Sequence, residues 1–167
     1  DHATYNHLPR WKHTKRFQNR YQWQADKGYA AFKKGQFTAN NKARCEVMKW
    51  SELRALLGGT TSMQGTSGSA CIDGWIRDVD DSDSSGHGIP GYSIDTQVTK
   101  ISGAKDADVK TWTADLKSGK STGLVLHLGE GIDTASRDEW YDLVKLGLVQ
   151  TGVSLIHAAG LTRDMRP

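Results

Sequence analysis

The sequence predicts an α/β fold organised on a parallel sheet, and three observations carry that expectation. Its second half alternates helix-like and strand-like segments: helix, strand, helix, strand. One of these, "TGLVLHL", is almost continuously apolar, which suits a strand covered on both faces within a parallel sheet. The connections between the strand-like segments are too long for hairpins and suit right-handed βαβ crossovers. With 167 residues, 37% of them hydrophobic, the chain can fill one packed core, and residues 1–167 read as a single domain.

The segment from Trp11 to Phe32 is polar with scattered aromatics that fit a helical face or two better than period-two alternation. In "CEVMKWSELRALLGG", Val47, Trp50, Leu53 and Leu57 recur at spacings of three and four, and Gly58-Gly59 ends the helix. "GTTSMQG" follows as a short β-branched strand between glycines. From Thr66 to Gly91 the chain is dense in Gly, Ser and Asp, a surface loop with "CIDGWIRDVD" as its one plausible strand. "DADVKTWTADLKSG" is a helix with Val109, Trp112 and Leu116 on one face and Gly119 as its stop. After the "TGLVLHL" strand, Ser136 and Glu139 form a capping box for a helix whose apolar face is Trp140, Leu143, Val144 and Leu146. Gly147 and Gly152 break it, and "VSLIHAA" is the next strand.

Charge and composition exclude several functions. The 22 basic and 19 acidic residues are interspersed, so the net charge of +3 implies no polyanion, and nucleic acid is not an expected partner. The nearest approach to a basic patch, "RWKHTKRFQNRYQW", interleaves cations with aromatics, but such helices more often pack their rings and leave the charges in water. No apolar run approaches the roughly 18 residues of a membrane span. Cys45 and Cys71 stand in no CxxC or zinc-finger spacing, and suggest neither a disulfide framework nor a thiolate metal site. A non-catalytic reading also exists. The glycine-rich "QGTSGSACIDG", residues 64–74, could hold an anionic ligand on backbone N–H groups, although it lacks the G-x-G-x-x-G and GK[ST] patterns.

The chemistry concentrates at two strand ends. In parallel sheets functional groups gather at the carboxyl ends of the strands. His127 and His157 each fall near such an end, and Glu130 lies just beyond the first. Neutral imidazole is a good ligand for zinc or iron, and a carboxylate in the adjoining loop can take a proton from activated water and pass it to a leaving amine. Catalytic zinc usually takes three protein ligands, so two histidines leave the set open. His87 sits in a glycine-rich loop with little preorganisation, His13 is flanked by lysines that oppose a cation, and His2 and His7 lie near the start of the chain.

These residues resemble a family. "HLGEGID", followed some thirty residues on by "LIHAAGLT", is similar to the amidohydrolase superfamily, in its cytosine deaminase, guanine deaminase and chlorohydrolase-like branch. Members carry H-x-x-E on the fifth barrel strand and a histidine on the sixth. "LLGGTTSMQG" resembles their helix, glycine and G-T-T strand, and "DHATYNHLPRW" looks like the tail of their H-x-H motif, with His2 as its second histidine. The resemblance implies a metal-dependent hydrolase acting on a C–N bond of a cyclic amide, amidine or amino-heterocycle, a small-molecule substrate. It implies a divalent metal, zinc before iron, held by His2, His127 and His157. Glu130 becomes the general acid/base, and His157 also polarises the substrate.

The fold so implied is a (β/α)8 TIM barrel, which needs about 250 residues. The chain therefore reads as a partial barrel, of parallel strands with covering helices. It begins within the H-x-H motif, at Asp1, and ends after the sixth strand, before the metal-binding aspartate of the eighth. Asp164 follows His157 too closely to replace that aspartate. Such a piece is expected to be inactive alone, and to associate with itself or with the missing part of the barrel through its open sheet edges.

Overall fold

A computed structural model of the chain describes residues 11–12, 14–37, 41–63, 77–78, 94–97 and 101–165, with backbone alone at 33–37, 41–44, 78 and 95–97. The fold is mixed α/β. The chain divides into two compact units, one from the described residues of Asp1–Thr14 and Ala25–Ser93, the other from those of Lys15–Gln24 and Ile94–Pro167.

The first unit contains helices α2 (Lys27–Phe37) and α3 (Asn41–Leu57) and strands β1 (Ser62–Met63) and β2 (Arg77–Asp78), which pair in parallel. Asp26 starts α2, because its carboxylate accepts hydrogen bonds from the N–H groups of Gly28 and Tyr29. This cap breaks the helical stretch expected from Trp11 to Phe32. Trp11 and Tyr29 then pack ring to ring at 5.4 Å. On α3 the predicted apolar face is displaced. Trp50 is 50% and Leu57 77% exposed, whereas Met48, Ser51 and Glu52 are buried. Ser51 is cheap to bury because its hydroxyl donates to the Val47 carbonyl one turn back. The Gly58-Gly59 stop holds: Gly59 adopts φ +91°, and the Thr60 N–H returns to the Ala55 carbonyl.

Cys45 is in a disulfide, contrary to the expectation from spacing. Disulfide geometry depends on the approach of two Cβ atoms in space, which sequence separation does not report. The other cysteine, Cys71, lies outside the described residues, as does all of the Thr66–Gly91 loop except β2.

The second unit contains α1 (Arg20–Gln24) and a parallel sheet of order β3-β4-β5, with β3 (Ile94–Gln97), β4 (Gly123–Leu128) and β5 (Val153–His157). Helix α4 (Asp106–Ser118) connects β3 to β4 and α5 (Thr134–Lys145) connects β4 to β5; the second βαβ unit is the one the alternation predicts, whereas β3, which opens the first, is not among the strands expected from the sequence. Gly119 ends α4 at φ +74°, with its N–H on the Leu116 carbonyl. Leu124, Leu126 and Leu128 point to one face of β4 and are at most 3% exposed. They join Trp112 of α4 and Trp140 and Leu143 of α5 in one core. Each buried leucine contributes roughly 1.5–3 kcal/mol.

The opposite face of β4 is only half buried, at Val125 and His127. The apolar run thus reflects one closed face and one partly open one, not the two covered faces expected. Helix α5 also departs from its expected start. Its N-cap is Asp133, whose carboxylate accepts from the Ser136 N–H, so Ser136 lies inside the helix and the Ser136–Glu139 capping box does not form. Val144 is 49% exposed and leaves the predicted apolar face.

Candidate functional site

The carboxyl ends of β4 and β5 bring together three residues singled out in the sequence. Parallel pairing sets His127 opposite Ile156 and Leu128 opposite His157. The two imidazole rings stand 5.6 Å apart between centroids, and Glu130 Oε2 lies 3.5 Å from His157 Nε2. Both partners of this contact remain reachable from solvent, at 34% exposure for His157 and 26% for Glu130.

Backbone turns display the last two. The Ala158 N–H reaches the Ile156 carbonyl at 3.1 Å, closing a three-residue turn centred on His157 at φ +72°. This is the uncommon positive-φ γ-turn, and Ala158 follows at φ +51°. A non-glycine residue held in this region costs about 1–3 kcal/mol and persists where the surroundings over-determine it, which is typical of functional sites. Here the Ala158 N–H also donates to the Leu128 carbonyl at 2.8 Å. A second γ-turn, from the Gly131 N–H to the Gly129 carbonyl at 2.9 Å, is centred on Glu130. The Gly129 carbonyl also accepts from the Gly160 N–H, which ties the two turns to each other. Gly131 has no room for a side chain, since a Cβ would collide with the Gln18 carbonyl and the Ser136 hydroxyl.

A segment outside the sheet braces this rim. Asn19 and Gly131 form an antiparallel bridge, the Arg20 N–H donates to the Glu130 carbonyl at 3.0 Å, and the Ile132 N–H donates to the Gln18 carbonyl at 2.9 Å. The Asn19 side-chain amide donates to Asp133 Oδ2 at 2.5 Å. The Arg20 guanidinium, 2% exposed, lies 3.7 Å from Glu139 Oε1. Glu139 Oε2 in turn accepts the Gly129 N–H at 2.7 Å. Burial pushes the Glu139 carboxyl above its ordinary pKa, against the opposing pull of the Gly129 N–H and of Arg20. For Asp133 desolvation also acts upward, but hydrogen bonds from the Ser136 hydroxyl, the Ser136 N–H and Asn19 together outweigh it and hold the carboxyl below its ordinary value.

Sequence reasoning missed this bracing. Arg20 and Asn19 belong to the stretch read as rings packed and charges solvated, yet both are buried. The sequence pattern puts Glu139 in a capping box that does not form, because Asp133 is the cap. The Asp133 cap did have a local signal, an Asp before "TAS" three residues ahead of a hydrogen-bonding serine.

The His127 and His157 rings stand 5.6 Å apart between centroids, and a neutral imidazole nitrogen binds zinc at about 2.0–2.1 Å. Among the described residues, however, no set of three His, Cys, Asp or Glu side chains is arranged to hold one. The expected third ligand, His2, lies outside the described residues, as do His7, His13, His87 and the glycine-rich segment 64–74. No described helix is long and apolar enough to cross a membrane. Comparison with protein-family models, with curated proteins and with solved structures finds no match to this chain.

Proposed function

We propose that the rim of β4 and β5 belongs to the active site of a metal-dependent hydrolase of the amidohydrolase type, acting on a C–N bond in a small cyclic amide, amidine or amino-heterocycle. The observation that carries the reading is the convergence of His127, Glu130 and His157, with Glu130 3.5 Å from His157 and each at the tip of its own γ-turn. The parallel order β3-β4-β5 is compatible with a portion of a (β/α)8 barrel, which the resemblance implies. Both α4 and α5 pack in the core with the leucine face of β4, as barrel helices do on the outer face of their strands. The half-buried face with His127 would then line the interior.

In this reading His127 and His157 hold a divalent metal, zinc before iron, with His2 as a further ligand. When bound, the metal supplies a Lewis acid and an acidified water. Glu130 accepts the proton of the attacking water and delivers it to the leaving amine, a task suited to a carboxylate that is partly accessible and fixed through its backbone. His157 steadies Glu130 through Nε2, which leaves Nδ1 either to hold the metal or to polarise the substrate at the reacting carbon.

Metal binding tests the reading without a known substrate. The chain and its His127→Ala variant are loaded with Zn2+, desalted, and their metal measured by elemental analysis. Stoichiometric zinc in the chain and its loss in the variant is the expected result. No zinc in either, or equal zinc in both, sinks the assignment.

A further inference from the structure

We infer that Arg20 and Glu139 are positioning residues for Glu130, setting its carboxylate against His157; the functional meaning of this rests on Glu130 as the proton shuttle proposed above.

A closed ring of interactions surrounds the Gly129–Glu130 backbone. Arg20 holds the Glu130 carbonyl with its backbone N–H at 3.0 Å. Its guanidinium reaches Glu139 Oε1 at 3.7 Å, and Glu139 Oε2 takes the N–H of Gly129 at 2.7 Å. Gly129 is bonded to Glu130, so the ring closes through the chain from the Gly129 N–H to the Glu130 carbonyl. Arg20 therefore restrains the backbone on both sides of the Glu130 Cα, after it with its own N–H and before it through Glu139. Beyond the ring, Ile132 on Gln18 and Gly160 on Gly129 restrain the same loop.

Both charged groups are nearly inaccessible, at 2% and 3% exposure. Burying an ion pair stabilises a fold no better, in many proteins, than a pair of well-packed apolar side chains, because desolvation offsets the attraction. A leucine at position 139 could fill space but could not accept the Gly129 N–H. What the ion pair adds is geometry: an acceptor pointed at Gly129, and a cation that holds the acceptor in place. The γ-turn at Glu130 closes on one short backbone hydrogen bond of its own, and the support from Arg20 and Glu139 adds to that of Gly160 and Ile132 in fixing where the carboxylate lies.

The test uses NMR of the full chain with labelled histidine at one fixed pH. The change in His157 ring shifts produced by Glu130→Gln defines the signature of their contact. The double variant Arg20→Met with Glu139→Leu keeps an apolar, space-filling pair, so the fold survives where a single change would strand a buried charge. It is expected to reproduce most of that signature, and adding Glu130→Gln to it is expected to change His157 little further. The Gly129 amide is expected to exchange at least about tenfold faster. A folded double variant whose His157 shifts stay at wild-type values overturns the inference, whatever happens to its melting temperature. If the double variant does not fold, Glu139→Gln gives the same reading: it retains the Gly129 acceptor but weakens the hold of Arg20, and a wild-type His157 spectrum again overturns the inference. Failure of the hydrolase reading is separate: a chain that binds no zinc but loses the His157 signature in the variant removes the reaction and keeps the positioning.

Discussion

Replacing Asp133 with Ala is expected to loosen α5 and the loop before it more than any other single change at this helix start. The Asp133 carboxylate accepts the Ser136 N–H at 3.0 Å, the Ser136 hydroxyl at 2.8 Å and the Asn19 amide at 2.5 Å. Loss of an N-cap costs about 1 kcal/mol. Hydrogen bonds to a charged group are worth about 1.5–3 kcal/mol each when buried, and Asp133 is only partly so; the summed cost is therefore set at about 2–3 kcal/mol. Ser136→Ala removes one hydroxyl contact and should cost about 1 kcal/mol. Amide hydrogen exchange in the first turns of α5 reports this locally. A cost of 2 kcal/mol corresponds to roughly 30-fold faster exchange where opening is local. The cap also carries a pH dependence. The folded pKa lies below the ordinary 3.8, so the stabilisation is present above that value and is lost as pH falls through the folded pKa. Asp133→Asn, which imitates the protonated form, should therefore differ from wild type at neutral pH and converge with it in strong acid. An Asp133→Ala chain with wild-type protection in α5, or one less affected than Ser136→Ala, would refute the assignment of the cap.

Leu126→Ala, at 3% exposure in the central strand, should cost about 2–5 kcal/mol in denaturant unfolding. Glu139 carries the opposite pH sign from Asp133: its folded pKa is raised above 4.5, so its contribution is most favourable below that value and declines as pH rises through the folded pKa. Glu139→Gln should remove that decline, which pH-dependent unfolding would show as a flatter profile than wild type. Along β5 an apolar groove of about 750 Å3, lined by Leu143, Leu148, Val153, Leu155, Leu161 and Met165, opens beside a strand that pairs only with β4 among the described residues. Light scattering of the purified chain is therefore expected to show self-association that rises with concentration, and a monodisperse monomer would count against it.

The amino-acid order by itself determined the parallel βαβ alternation, the helix stops at Gly59 and Gly119, and the placement of His127 and His157 near strand ends. These are local matters, decided by periodicity over a few turns and by the backbone freedom of glycine. The convergence of Glu130 with His157 was legible only as far as successive parallel strands bring their ends close; the γ-turns that aim the two side chains were not, because nothing in "HAA" announces a positive φ at histidine.

Tertiary structure alone decided which face of α3 is buried, that Cys45 is in a disulfide, that one face of β4 stays partly open, and that Arg20 and Glu139 belong to the interior. Asn19 meets Asp133 across a separation of 114 residues, and the same strap carries Arg20 to Glu139. A charged residue buys its place in a core only through a partner, and where that partner lies far along the chain, no window of neighbouring residues contains the reason for its burial.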